Sequence, residues 1–367
     1  MRPDCRALEG NELPWEGAPV PACCIVYVSD QAYLFPTFVS AMQARQHASA
    51  DKADVMICHF GLDAGAERDF AGPCRREGIG LMAVDPGLVE GASPMMARLF
   101  LNRFMPPQYA QYLYIDGDTH ITGPLDPLLD AEVPAGRFLA ANDPMAFMLA
   151  DKGAQGRDLA RHMALIGLTP EQAGFYFNTG VLRINRSGWD ETGLQAWDVA
   201  HKGSRTFRFP DQDPLNIVAV DSHMPMSLAW NFPIFMLNAR VEADIKPCIY
   251  HFMSSPKPWQ GVFQPWGPRA CAPYADALRR YPSLSPYNSA LPLRRRVRYH
   301  LQQGLKKAFE TVTWGHSERR RRIFHYEEQV ARRPHGSAQP GALRQGSSSL
   351  TRRAGSPAWR PSASVLS

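Results

Sequence analysis

Apolar and polar residues fall in blocks along the first 120 positions. Ala22-Cys-Cys-Ile-Val-Tyr-Val-Ser29 is a continuous apolar run of strand length, the pattern of a strand covered on both faces. Val55–Phe60 and Ile79–Val84 repeat it, separated by helical segments around Thr37–Gln46 and Ala64–Glu77. This alternation predicts crossover connections and a mostly parallel sheet. Ser93-Pro94 reads as an N-cap followed by proline at the first helical position, which predicts a helix to about Phe104. A strand over Tyr112–Ile115 then ends at Asp116.

Beyond Asp118 the pattern loosens into proline-punctuated segments, with a strand at Gly180–Ile184, a helix around Asp213–Val220 and a linker over Pro282–Pro292. From Leu293 to Trp314, Val297, Leu301, Leu305, Phe309 and Val312 recur at helical spacing beside Arg294, Arg295, Arg296, Arg298, Lys306 and Lys307. That is a basic amphipathic helix, read either as a membrane-surface element or as a final helix docked on the core. After Pro334, Ser, Gly, Pro and Arg dominate and no structure is assigned. The expected division is an extension over 1–20, a catalytic domain over 21–290, the basic helical tail over 291–333 and a low-complexity tail over 334–367.

A chain of 367 residues with 45% apolar content suffices for one large α/β core. Its charge is uneven. Residues 291–367 carry 16 Lys/Arg and 4 Asp/Glu, a balance of +12, which against the whole-chain +5 leaves −7 for residues 1–290. An acidic body offers no basic groove, and the Arg-rich tail has no base-reading module, so nucleic acid is not the expected partner. Seven cysteines without Cys-x-x-Cys spacing form neither a disulfide framework nor a zinc site. With no signal-like or membrane-spanning run in sight, a cytoplasmic protein is expected, peripheral on the membrane face if the basic helix binds lipid.

Candidate chemistry starts with Tyr114-Ile-Asp-Gly-Asp118, which sets two carboxylates one residue apart where an apolar strand stops. A hard cation such as Mn²⁺ or Mg²⁺ takes oxygen ligands and keeps positions open for phosphate oxygens, so this pair suits a metal–diphosphate site. Alone, so common a pair reads more readily as a solvated turn. In open α/β sheets, however, ligands gather at the carboxyl ends of strands.

Three later segments change its weight: Phe177-Asn-Thr-Gly-Val-Leu-Arg-Ile-Asn-Arg-Ser-Gly-Trp189, Pro210-Asp-Gln-Asp-Pro-Leu-Asn216 and His251-Phe-Met-Ser-Ser-Pro-Lys-Pro-Trp259. With Tyr-Ile-Asp-Gly-Asp-Thr they resemble, in order and spacing over roughly residues 22–262, the pattern of glycosyltransferase family 8. The resemblance implies an α/β, Rossmann-like GT-A fold in a single domain. It further implies retaining transfer of a hexose from a UDP-sugar, held through Mn²⁺ with Mg²⁺ possible, to a glycan or lipid-linked glycan.

By the same resemblance Asp116, Asp118 and His251 are metal ligands and Lys257 binds diphosphate. Asp30 contacts the uridine moiety, Tyr33 stacks on uracil and Arg98 lies near the donor phosphate and sugar. Asn178, Asp211 and Gln212 surround the donor sugar, with Gln212 opposite the leaving group. Asp143 contacts donor or acceptor, or simply forms the turn that Asn-Asp-Pro signals. The chain has Ser254 and Ala32 where the family usually has Gly and Asn. A non-catalytic nucleotide-sugar or glycan binder is the alternative, weighed against by the intact Asp116, Asp118, His251, Gln212 and Lys257.

Overall fold

The computed structural model describes residues 21–202, 207–315 and 317–333. The expected 1–20 extension, 334–367 tail and Cys5 lie outside the described residues. A seven-stranded sheet has the order β3-β2-β1-β4-β7-β6-β8, built from β1 (Cys23–Ser29), β2 (Ala53–His59), β3 (Ile79–Ala83), β4 (Gln111–Ile115), β6 (Phe138–Asn142), β7 (Phe177–Asn185) and β8 (Met224–Pro225). β1 pairs in parallel with β2 and β4, β2 with β3, and β6 with β8. β7 runs antiparallel between β4 and β6. The fold is therefore α/β with a mostly parallel central sheet. A small second sheet sets β10 (Ile249–His251) between β5 (Thr119–Ile121), antiparallel, and β9 (Phe232–Pro233), parallel.

The continuous apolar runs are explained by two cores, one on each side of the sheet. Along β1, Cys23, Ile25 and Tyr27 enter one core while Cys24 and Val26 enter the other. Helices α1 (Leu34–His47), α2 (Ala64–Arg76), α3 (Ala154–Leu165), α4 (Trp189–Lys202), α5 (Gln212–Ala219) and α6 (Ala272–Arg280) complete the body. Asp63 caps α2 by accepting from Ala66 N–H, as sequence pattern allows. The six described cysteines are all unpaired.

Two expectations need correction. The segment from Pro94 is a 3₁₀ helix to Phe100, followed by one α-turn over Leu101–Phe104, and Ser93 makes no side-chain cap. Met96, Ala97, Arg98, Leu99 and Phe100 are all buried, so tertiary packing and not a one-sided helical stripe shapes this stretch. The presumed linker is a 3₁₀ helix over Pro282–Tyr287 with Leu284 buried and Tyr287 Oη donating to Asp69 at 2.9 Å. Only the last few residues before α7 (Leu293–Trp314) connect.

Helix α7 inverts the usual amphipathic arrangement. Gln303, Glu310 and Trp314 face the body, where Glu310 accepts from Asn238, Gln303 donates toward Ser255 O and Trp314 packs on Phe235. Leu301, Leu305 and Phe309 are 68%, 76% and 62% exposed. At about 100° per residue these apolar positions lie roughly opposite the docked polar face. Helix α8 (Ser317–Ala331) packs conventionally: Ile323, Tyr326 and Val330 join the core that includes Phe147 and Leu228. No helix among the described residues is long and apolar enough to cross a membrane.

Candidate active site

Local connectivity brings the chemistry-bearing residues to one place. Asp116 follows β4 and donates its N–H to Gly180 O on β7 at 2.7 Å. The Asp118 carbonyl accepts from Phe252 N–H at 2.9 Å, and β10 aligns His251 with Thr119 of β5. A strand–turn–strand thus meets a strand from far along the chain. One ligand atom each from Asp116, Asp118 and His251 lies within 4.8 Å of the others.

Each of these three groups is held by the atom it does not present. Asp116 Oδ1 accepts from Tyr114 Oη at 2.7 Å and from the Arg98 guanidinium at 2.9 Å, while Oδ2 faces His251. Asp118 Oδ2 accepts from Lys257 Nζ at 2.6 Å, while Oδ1 lies 3.3 Å from His251 Nε2. His251 Nδ1 is 2.8 Å from Asn231 Oδ1. Two hard oxygens and one imidazole nitrogen form a donor set suited to a divalent cation. Gly180 makes the space: a Cβ there would stand 2.2 Å from His251 Cε1 and 2.8 Å from Asp116 Oδ2.

The electrostatics divide the carboxylates. Burial raises the Asp116 carboxyl above its usual range, and Asp118 adds to this against the opposing pull of Arg98. For Asp118 burial acts in the same direction, but Lys257 and His251 outweigh it and hold the group well below the ordinary carboxylate range. Lys257 shows the reciprocal effect, since burial would lower its ammonium yet Asp118 keeps it raised. Its Nζ also donates to Phe252 O.

Arg98 is a buried strut. Its guanidinium reaches Asp116, the Thr179 carbonyl at 2.6 Å and Asp211 Oδ2 at 3.4 Å, and lies over the Tyr114 ring. Asp211 also accepts from Thr179 Oγ1 at 2.8 Å. Next to it Gln212 Oε1 accepts from Asn178 Nδ2 and Thr179 N–H, and Gln212 Nε2 donates to Asp143 Oδ2. Asn178 donates to the same Asp143 oxygen at 3.1 Å. Burial raises the Asp143 carboxyl, against the donors from Met145 N–H, Asn178 and Gln212.

Asp116, Asp118, His251, Lys257, Arg98, Asp211, Gln212, Asn178 and Asp143 therefore form one connected cluster. Tyr33 stands at its margin, 40% exposed, with its ring edge-on to Trp259 at 5.5 Å. Asp30 closes its own turn by accepting from Tyr33 N–H at 3.0 Å. Sequence reading missed Tyr114, Thr179 and Asn231. The last carried a signal, being a polar residue inside the apolar run Leu228-Ala-Trp-Asn-Phe232.

Residues 91–262, which include all of this cluster, match the family described as Glycosyl transferase family 8. Over that span, a little under half of the chain, it is similar to family 8 glycosyltransferases. Among solved structures, the WbbM bifunctional glycosyltransferase shares 17% identity at TM-score 0.58 over 73% of this chain, which spans only 51% of that one. Galactosyltransferase LgtC, solved with donor and acceptor sugar analogues, shares 20% identity at TM-score 0.53 over 75% of this chain and 99% of its own. GlyE of Streptococcus pneumoniae TIGR4 shares 19% at TM-score 0.50, over 73% and 64%. These likenesses establish the fold alone, as GT-A-like. No curated protein matches the chain in sequence.

Proposed function

We propose that the chain transfers a hexose from a UDP-sugar to a hydroxyl of a glycan or lipid-linked glycan, with retention and with Mn²⁺. The observation that carries this reading is the convergence of Asp116, Asp118 and His251 beside Lys257, with an amide, Gln212, hydrogen-bonded to Asn178 and Asp143 in the same cluster. Asp116, Asp118 and His251 would hold the cation, which when bound supplies positive charge for the diphosphate. Lys257 adds a compact ammonium that can exchange its Asp118 contact for a phosphate oxygen. Arg98 stays tied to Asp116 and Asp211 and orients both.

Gln212 argues against a covalent intermediate. Retaining glycosidases use a carboxylate as nucleophile, and an amide is a poor substitute. We assign Gln212 to the sugar face opposite the leaving group, with Asp211, Asn178 and Asp143 accepting or donating to sugar hydroxyls. The bond from the anomeric carbon to the UDP oxygen breaks with its electron pair going to the diphosphate. The acceptor oxygen enters from that same face, and its proton passes to the departing diphosphate. We assign Tyr33, whose ring meets Trp259 edge-on, to stacking on uracil, with Asp30 beside it.

We also assign 21–290 as the catalytic unit and α7 as its contact with an anionic membrane, where lipid-linked acceptors such as lipopolysaccharide core would be met. The exposed Leu301, Leu305 and Phe309 and the exposed Arg294, Arg295, Arg296 and Arg298 on one helix support this surface.

A panel of UDP-sugars incubated with Mn²⁺, scored by UDP release, tests the function. One donor should be hydrolysed slowly, and no donor should react once the metal is chelated. Turnover unchanged by chelation would remove the metal from the scheme, and a β-linked product, seen by NMR, would remove the role of Gln212.

A further inference from the structure

We infer that Asn231 is a positioning residue that sets the tautomer of His251 and ties the metal side of the site to the sugar side. The inference rests on the divalent-cation reading above. It begins from a backbone group with only one role to play. Gly180 N–H can only donate, and it lies 2.9 Å from Asn178 Oδ1, so that atom is the amide oxygen. The Asn231 atom 2.8 Å from the same oxygen must then be its donor, Nδ2. The other end of the Asn231 amide is therefore Oδ1, which faces His251 Nδ1 at 2.8 Å. An acceptor there requires a hydrogen on Nδ1. The lone pair of the neutral ring consequently sits on Nε2, the nitrogen turned toward Asp118 Oδ1.

The same logic continues toward the proposed sugar-binding residues. Thr179 N–H, again only a donor, marks the Gln212 oxygen, to which Asn178 Nδ2 also donates at 3.0 Å. An unbroken hydrogen-bonded run thus joins His251, Asn231, Asn178 and Gln212, all of them buried. Asn231 is itself placed by its neighbours: it sits between the 3₁₀ turn Leu228–Trp230 and β9, and that turn is held by Glu327 of α8, which accepts from Ser227 Oγ at 2.6 Å and Leu228 N–H at 2.8 Å.

Two substitutions separate the two duties. Asn231→Asp keeps an acceptor for His251 Nδ1–H but has no donor for Asn178. Asn231→Leu removes both. Mn²⁺ binding is read by electron paramagnetic resonance of the free ion, titrated into the full chain in the presence of UDP, and kcat is read separately at saturating Mn²⁺. Asn231→Leu should weaken Mn²⁺ about 10- to 100-fold, whereas Asn231→Asp should stay within about threefold of wild type while losing about tenfold in kcat. In a His251→Ala background, Asn231→Leu should weaken Mn²⁺ no further. Equal Mn²⁺ affinity in wild type and Asn231→Leu overturns the inference, as does an Asn231→Asp protein that loses as much affinity as Asn231→Leu. Should the leucine variant not fold, a more than tenfold loss of Mn²⁺ affinity in Asn231→Asp overturns it alone. A wild-type chain that binds no Mn²⁺ fails differently, since it removes the cation reading itself and this inference with it.

Discussion

At the scale of single residues, the site depends as much on what is missing from β7 as on what lines it. Asp116 and His251 approach each other across the bare Cα of Gly180. A methyl group there would have to displace a ring atom 2.2 Å away and a carboxylate oxygen 2.8 Å away, both of them fixed on their far sides by Asn231 and by Arg98 and Tyr114. Gly180→Ala should therefore fold, because alanine is ordinarily favoured over glycine in a strand, yet transfer should fall about 100-fold, as misplacement near 1 Å does in active sites. UDP release and a thermal melt on the same preparation check this. Wild-type turnover in the alanine variant would show that the triad has room the distances do not allow.

Elements differ in how openly their residues announce them. β1, β2, β3 and α2 were legible because each is an unbroken apolar run or a one-sided stripe in a regular alternation. β7 was read only from Gly180 onward, since Asn178 and Thr179 break the apolar run, and those polar residues are the ones that face Asp143, Gln212 and Asp211. β5, β9 and β10, two or three residues each, are too short to show a period, so His251 was traceable only through its motif. The bounds of α7 were readable, but its orientation was not: a periodic apolar stripe does not say whether protein or something else covers it.

Helix α8 lies within the helical tail expected over 291–333, and its partly buried carboxylate, Glu327, offers a test. Burial raises the Glu327 carboxyl above its ordinary value of 4.5, against the donors from Ser227 and Leu228 N–H. A carboxyl raised in the folded state contributes stability that is full below its unfolded value and lost as pH rises through its folded value. The unfolding midpoint of wild type should thus gain on that of Glu327→Gln as pH is lowered toward 4.5. A difference that stays flat with pH would mean that the group binds its proton equally in both states.

Over the whole molecule, charge is segregated, −7 before residue 291 and +12 after it. Each cation brought to an anionic bilayer contributes about 1 kcal/mol, and salt screens that contribution within about 10 Å at 0.1 M. Sedimentation with anionic vesicles should accordingly be strong at low salt and fall as salt rises, and neutral vesicles should hold less protein. Leu301→Gln with Leu305→Gln should weaken sedimentation while leaving the melting temperature and UDP release near wild type, because both side chains point away from the body. Equal sedimentation by this double variant would exclude the apolar face of α7 as the contact.

The inverted packing of α7 also bears on geometry. A membrane anchor on a slack tether leaves its cargo free to tumble, so that the active site meets the surface at every angle. Here the helix is clamped along its polar side by Asn238, Ser255 and Phe235, the second of these two residues from Lys257. Seated on a bilayer, it would act as a keel, fixing both the tilt of the candidate active-site cluster and its height above the lipid. Search for an acceptor would then be confined to two dimensions, and the length of glycan between lipid and reactive hydroxyl would become a selection rule.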